Sequence, residues 1–371
     1  MTALSLNTLR SAWHRTRDGM RRVLGIYSYA VTWRYLIARL SPRDPQTQRK
    51  ARCDRYLVAV PAYASEGIGG QFVKWNTARL LARRHGLTFV HHPFTSSSHS
   101  PGLDWEHFLG FGAGEVDYSA LSRRGDIDTV DLPPLHISRT GVTSRGVDVP
   151  ADFVRLTLES VLASREVLFR LGGETWTDAQ AGETDELKRK YHAARRAAAL
   201  IGCAAKSAAV TVAVHVRRGD VRTLKDIGAH EGQRRWIDET YYASLIAGVN
   251  RVLGAANVQF RIYSDDPPRA FEQLPLIPNV QFRLHGQDPV AADIAFHEMV
   301  TADILAVGMS SFSYLAALLS DGVKLAPSSY PHDLPADWLR CDSAGAFDGE
   351  RLLSLFAGRL ALTRCPEPAN S

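Results

Sequence analysis

Cysteine is scarce: Cys53, Cys203, Cys341 and Cys365 are the four in 371 residues. They lie too far apart for a zinc ribbon or a CxxC redox pair, and they are too few for a secreted disulfide framework. A reducing, cytoplasmic setting is expected. The chain also lacks any uncharged apolar run near the roughly 20 residues of a membrane span, and its N-terminus lacks the compact apolar core of a signal peptide. Neither secretion nor spanning is expected. No Ser/His/Asp or Cys/His arrangement stands out, and His91-His92 with His99 make a poor metal cluster. A GxGxxG dinucleotide fingerprint is missing too, as is any short-period repeat.

What is present is enough apolar sequence, 45% of the chain, to build two domains of roughly 150 residues each. The formal charge of +5 is unevenly placed, because residues 1–55 hold twelve Lys/Arg against three Asp/Glu. The excess is confined to this arm and no nucleic-acid reader motif accompanies it, so nucleic acid is not an expected partner. Arginines there interleave with Leu6, Leu9, Trp13, Met20, Trp33, Tyr35 and Leu36. Two readings fit equally: a basic amphipathic helix on an anionic inner membrane face, or a helix packed on the body with solvated arginines.

Four segments follow from the patterning: an arm over 1–50, an N-terminal α/β domain over 51–203, a C-terminal α/β domain over 204–345, and a helix and tail over 346–371. Tyr56 to Val60 reads as a buried strand, a glycine turn follows, and from Gln71 the spacing of Phe72, Trp75, Ala78 and Ala82 predicts a helix stopped by Gly86. Leu87 to Val90 closes a β-α-β unit. Residues 95–150 read as loop-rich surface excursions suited to an acceptor, and 151–171 and 183–202 as helices. The second domain alternates strands at 210–216, 258–263, 281–284, 304–307 and 323–325 with helices over 240–253, from Asp293 and after Ser310. Alternation of this kind predicts parallel sheets covered on both sides.

Three polar constellations sit at predicted strand ends. The apolar strand Thr211 to Val216 runs into Arg217-Arg218-Gly219-Asp220, where guanidinium groups suit a diphosphate, Gly219 permits a sharp turn and Asp220 can hold an arginine. The same Arg-Arg-Gly-Asp recurs at 123–126 without a buried strand or a histidine before it, and is expected to be an exposed surface segment. Glu66-Gly67-Ile68-Gly69-Gly70-Gln71 offers a glycine turn at a helix start, able to receive a phosphate or simply to turn. Ser310-Ser311-Phe312-Ser313 offers hydroxyls and open amides at another helix start, a further anion site or a plain serine cap. Asp126-x-Asp128 and Asp265-Asp266 are expected to be an acidic loop and a turn, not metal clamps.

Taken in order, His215-Val216-Arg217-Arg218-x-Asp220, Ile262-Tyr263-Ser264-Asp265-Asp266, Asp293-Ile294, Ala302-Asp303 and Ser310 to Ser313 resemble the three-motif pattern of the α-1,2-, α-1,6- and protein O-fucosyltransferase superfamily. The Gly67 to Gln71 turn is similar to that family's N-terminal glycine motif, and the likeness covers roughly residues 56–325. The resemblance implies a GT-B type fold, two Rossmann-type domains with parallel sheets facing a central cleft. It implies a hexosyltransferase-class enzyme of glycan biosynthesis that uses GDP-fucose, inverts the anomeric carbon and needs no metal or other cofactor. Arg217 would bind the β-phosphate, His215 and Asp293 would contact guanine, and Ser310, Ser311 and Phe312 would line the nucleotide. Gly67, Gly69 and Gly70 would approach the diphosphate, with Arg218 and Asp220 supporting.

Two departures bear on mechanism. Several members carry Asn where this chain has Gly70, and the core-fucosylating members carry a glutamate where this chain has Lys225. No base transfers from the family, so Asp226 and Glu231 are the candidates from sequence proximity, with Asp220 behind them. Arg217 would neutralise the departing GDP. A transferase for another nucleotide sugar and a non-catalytic nucleotide-sugar or glycan-binding protein are the rival readings; the acceptor and the oligomeric state are not encoded in any motif.

Overall fold

The computed structural model describes residues 54–60, 66–95, 100–138, 140–144, 147–149, 152–159, 166–172, 175–198, 209–284 and 289–364. The basic arm lies outside them. Compactness divides the described chain into two units, and neither is one run of sequence. The first gathers 54–60, 73–93 and 114–180, and the second 66–72, 94–113 and 181–364. Residues 66–72, 94–113 and 181–198 thus group with the C-terminal segment rather than with the residues before 203.

In the first unit, Tyr56 to Ala59 are buried and form β1 (Arg55–Ala59). Helix α1 (Ile68–His85) follows, its first turn belonging to the second unit. Phe72, Trp75, Ala78 and Ala82 are buried along it, as their spacing of three or four requires. Gly86, at φ +64, ends it, and β2 (Thr88–His91) returns parallel to β1. The glycines Gly69 and Gly70 lie inside the first turn of α1 rather than in a loop before a helix starting at Gln71.

Two expectations are corrected here. Residues 95–150 are not mainly excursions: they hold α2 (Trp105–Leu109), β3 (Val116–Asp117), α3 (Tyr118–Ser122), β4 (Asp128–Leu132), β5 (His136–Ile137), β6 (Val142–Ser144) and β7 (Val147–Val149). Residues 151–171 are not one helix but α4 (Phe153–Glu159) and β8 (Val167–Leu171). The run Val-Leu-Phe-Arg-Leu is apolar at four of five positions and therefore carries no period to separate helix from strand. Its place in the sheet decides: β8 is an inner strand, parallel to β1 on one side and β4 on the other, in the order β3-β2-β1-β8-β4. With β9 (Trp176–Thr177), a smaller sheet has the order β7-β6-β5-β9.

The second unit is doubly wound. After α5 (Thr184–Ala197) come β10 (Val210–His215), α6 (Asp220–Asp226), α7 (His230–Arg235), α8 (Glu239–Leu253), β11 (Val258–Ser264), β12 (Val280–Leu284), α9 (Pro289–Thr301), β13 (Ile304–Ala306), α10 (Ser311–Leu319), β14 (Val323–Pro327), β15 (Leu339–Cys341) and α11 (Gly349–Arg364). All six strands are parallel, in the order β12-β11-β10-β13-β14-β15. The chain winds outward from β10 to β12, then crosses back to start again at β13. Val212, Val214, Phe260, Ile262, Ile304 and Leu325 from the strands meet Tyr242, Leu245, Ile246 and Val249 from α8 in the core. The chain is thus α/β, built on parallel sheets as the alternation predicts. Among the described residues no helix is long and apolar enough to cross a membrane.

Candidate functional site

The direction of winding reverses between β10 and β13, and at such a switch point the loops leaving the strands part and open a crevice at their C-terminal ends. The loop after β10 is Val216 to Gly219; the loop after β13 is Val307 to Ser310. They are neighbours by register, since Val214 pairs with Ala306. They also touch closely, because a Cβ on Gly308 would lie 2.5 Å from the His215 carbonyl oxygen. On the other side of β10, Val216 N–H donates to the Tyr263 carbonyl at 2.8 Å, which brings Asp265 and Asp266 alongside. Three motifs separated in sequence therefore end up on three adjacent strand ends.

The loop after β10 is held by carboxylates. Arg217 reaches Asp220 through Nη2 and lies 3.9 Å from Asp265 Oδ2 through Nη1, with about a fifth of its side chain exposed. Asp265 accepts the Arg218 amide N–H at 3.0 Å, and Gly219 takes φ +44, a left-handed value that glycine adopts without strain. Asp266 pairs with Arg222. The expected turn after β11 is thus an anchor for the arginine loop, and Asp265 is a site residue that sequence reasoning left without a role.

Arg218 faces a different environment from Arg217. It is buried, donates to the Arg217 carbonyl at 2.9 Å, and lies 4.0 Å from the centre of the Trp236 ring. Desolvation pulls its pKa down from the usual value, yet a guanidinium remains charged. Arg218 therefore braces the loop, while part of the Arg217 side chain stays exposed. His215 is also buried, its ring 5.9 Å from that of Phe312. It presents little surface to a nucleotide and wedges the two loops.

The glycine turn reaches this place through α10. A Cβ on Gly69 would lie 2.4 Å from the Ser311 carbonyl carbon and 2.5 Å from the Phe312 nitrogen, so the first turn of α1 rests on the backbone where α10 begins. Ser310 caps α10, accepting from Phe312 N–H at 3.3 Å. Gly67 caps α1, its carbonyl accepting from the Gly70 and Gln71 amides. Gln71 locks the turn: its Nε2 donates to the Glu66 and Thr95 carbonyls, and its Oε1 accepts from Thr95 N–H. At Gly70 the space of a side chain is taken by Glu66, whose Oε1 would lie 2.6 Å from a Cβ there. A carboxylate thus stands over the face of α1 that the sequence offered to a phosphate.

Asp293 lies inside α9, half-buried, and does not cap it; α9 begins four residues earlier than expected. Its carboxylate accepts from Ile294 N–H at 2.8 Å and acts electrostatically on Tyr191 and Arg195. Phe296, one turn on, packs at 5.3 Å against Phe312, and Trp105 packs against both. Trp105 of α2 is held by its indole N–H on Ser100 Oγ at 2.7 Å. Its segment, 95–150, reads as loop from sequence alone.

The two base candidates differ. Glu231 holds Arg234 and Arg235, and these guanidinium groups lower its pKa. That makes it a weak proton acceptor. Asp226 ends α6 exposed, two turns from Asp220. Lys225 lies 4.4 Å from the centre of the Trp236 ring. Of the remaining expectations, the second Arg-Arg-Gly-Asp is exposed, with Arg124 on Asp126 and Glu166. His91 is a buried acceptor for the Trp75 indole N–H at 2.9 Å, and His99 lies outside the described residues. Among the described residues no group of three or more His, Cys, Asp or Glu could hold a metal ion.

No family model matches the chain, and no curated protein sequence matches it. Solved structures similar to it include POFUT1 in complex with GDP, at 13% identity over 73% of this chain and 96% of that one, with a TM-score of 0.40. The fucosyltransferase NodZ from Bradyrhizobium is similar at 14% identity over 73% and 94%, TM-score 0.39. A point mutant of FUT1 of Arabidopsis thaliana in complex with GDP is similar at 10% identity over 84% and 77%, TM-score 0.38.

Proposed function

We propose that this chain is a glycosyltransferase of the GT-B type that moves fucose from GDP-fucose to a glycan hydroxyl, with inversion and without a metal ion. One observation carries the reading: the partly exposed guanidinium of Arg217 and the capped start of α10 stand on the two strand ends that flank the switch point of a doubly wound sheet. A diphosphate set there meets a permanent cation on one side and the positive end of a helix on the other.

In the reaction, the bond between the anomeric carbon and the diphosphate oxygen breaks and its electron pair leaves with GDP. The acceptor oxygen bonds to the opposite face of that carbon and releases its proton. Arg217 offsets the charge growing on the diphosphate, an effect worth about 3–4 kcal/mol for comparable groups. Asp220 and Asp265 aim it. Asp226 is the proton acceptor in this proposal, since Glu231 is held by two arginines. Phe312, with Asp293 on the neighbouring helix, forms the nucleotide wall. The arm would touch the inner membrane face from a cytoplasmic position.

The test is GDP release from GDP-fucose with and without EDTA, in the parent and in Arg217→Ala. Release unaffected by EDTA and lost in a folded Arg217→Ala protein supports the reading. Strict metal dependence, or full activity of the variant, sinks it.

A further inference from the structure

The first unit carries a second group of polar and aromatic side chains, remote in sequence from every motif used above. Strands β5 and β9 run parallel with His136 opposite Trp176. Side chains alternate along a strand, so Asp178, two residues after Trp176 and still tied by its amide to the Ile137 carbonyl, returns to the same face. Thr177, between them, points the other way and is buried.

On the open face, Trp176 is 40% exposed, a large uncovered area for an indole. Its ring meets the His136 ring edge-on, with centroids 5.2 Å apart. His136 Nε2 is 2.9 Å from Asp178 Oδ1, and this bond fixes the imidazole plane beside the indole. Among the described residues the remaining imidazole nitrogen and Asp178 Oδ2 have no hydrogen-bond partner, and both side chains are partly exposed. An apolar ring face flanked by a fixed donor or acceptor and a carboxylate oxygen is the chemistry that holds a pyranose: C–H groups rest on the indole, and vicinal hydroxyls bond the polar atoms.

We propose that Trp176, His136 and Asp178 form a sugar-binding subsite that holds one neutral ring of the acceptor glycan. That the ring belongs to an acceptor rests on the transferase reading; that the site binds a sugar does not. The small sheet serves the purpose because its register sets both partners from backbone pairing alone, and the sugar needs no rearrangement of them.

Saturation-transfer NMR on the full chain tests this, with the methyl glycosides of galactose, glucose, mannose, rhamnose and N-acetylglucosamine as probes. At least one probe should receive saturation, and Trp176→Ala and the near-isosteric Asp178→Asn should each weaken it by about tenfold, roughly the effect of one lost anchoring contact. Thermal melts establish that both variants are folded. Silence from all five probes, or a response unchanged in the folded Trp176→Ala and Asp178→Asn proteins, overturns the subsite. GDP binding measured by calorimetry on the same samples separates the two claims. Sugar binding that depends on Trp176 without GDP binding keeps the subsite and removes the transferase reading; GDP binding with silent probes does the reverse.

Discussion

A Cβ on Gly219 would lie 1.9 Å from Oδ2 of Asp265, inside the carboxylate that holds the arginine loop. The glycine is needed twice at this point, for its left-handed φ and for the space that its missing side chain leaves to Asp265. Gly219→Ala should therefore push Asp265 away and release both Arg217 and the Arg218 amide. The expected result is weaker GDP binding by about tenfold or more with a small loss in Tm. Asp265→Ala added to Gly219→Ala relieves the clash but neither the φ strain nor the lost anchoring, so the double variant should recover Tm in part and affinity not at all. Calorimetry and thermal melts on the three proteins check this.

Arg217→Lys is the sharper companion to Arg217→Ala. A lysine keeps the charge and loses the fork that spans Asp220 and a phosphate. GDP release from GDP-fucose should fall by about 10²–10³-fold in Arg217→Ala and less in Arg217→Lys. Arg218→Lys should instead act on stability, since the buried Arg218 stacks on Trp236.

Gly69 and Gly70 should respond oppositely to alanine although they are adjacent. At Gly69 the obstacle is the Ser311 and Phe312 backbone, which cannot give way without moving α10. At Gly70 it is the Glu66 side chain from Cγ to the carboxylate, which can turn about its χ angles as backbone cannot. Gly69→Ala should cost about 1–3 kcal/mol in denaturant unfolding, whereas Gly70→Ala should lie within about 1 kcal/mol of the parent.

Lys324 gives a pH-dependent signal. Burial lowers its pKa to about 8, and its Nζ donates to the Ser320 carbonyl at 3.2 Å, with Asp337 the nearest carboxylate at 3.9 Å. Between about pH 8 and the unfolded lysine value near 10.4 the unfolded chain binds more protons than the folded one. The contribution of Lys324 to stability therefore rises with pH across that window, and below it the buried charge is a cost. Lys324→Met should be more stable than the parent by about 1–3 kcal/mol at pH 7, with the gap closing towards pH 10. A gap that widens with pH would contradict the assignment.

The second unit was legible in sequence because its strands are short apolar runs broken by Gly, Pro and Ser, and its helix over 239–253 is amphipathic. Arg217 and Ser310 could be placed at strand ends for the same reason. Asp265 was not, since an Asp-Asp-Pro-Pro tract reads as a turn wherever it occurs, and only the pairing of β10 with β11 brings it to Gly219. Trp105 was hidden by the glycines around it, and β8 by an apolar run with no period. Glu66 was visible as a residue, but its position over Gly70 depends on a turn geometry that no local pattern encodes. Glu231 was a fair base from distance along the chain, and its hold on the two arginines in the turn after it was not visible as a contact.

The assembly of the second unit has a temporal side. Trp105 and Phe108 leave the ribosome long before Phe296 and Phe312, the residues they pack against. At about 5–20 residues per second that delay is of order 10–40 s. Throughout it, Trp105 and Phe108 lack the Phe296 and Phe312 side of their packing. Aromatic side chains that wait for their partners are open to aggregation, and a chaperone that covers them would raise the yield of folded protein.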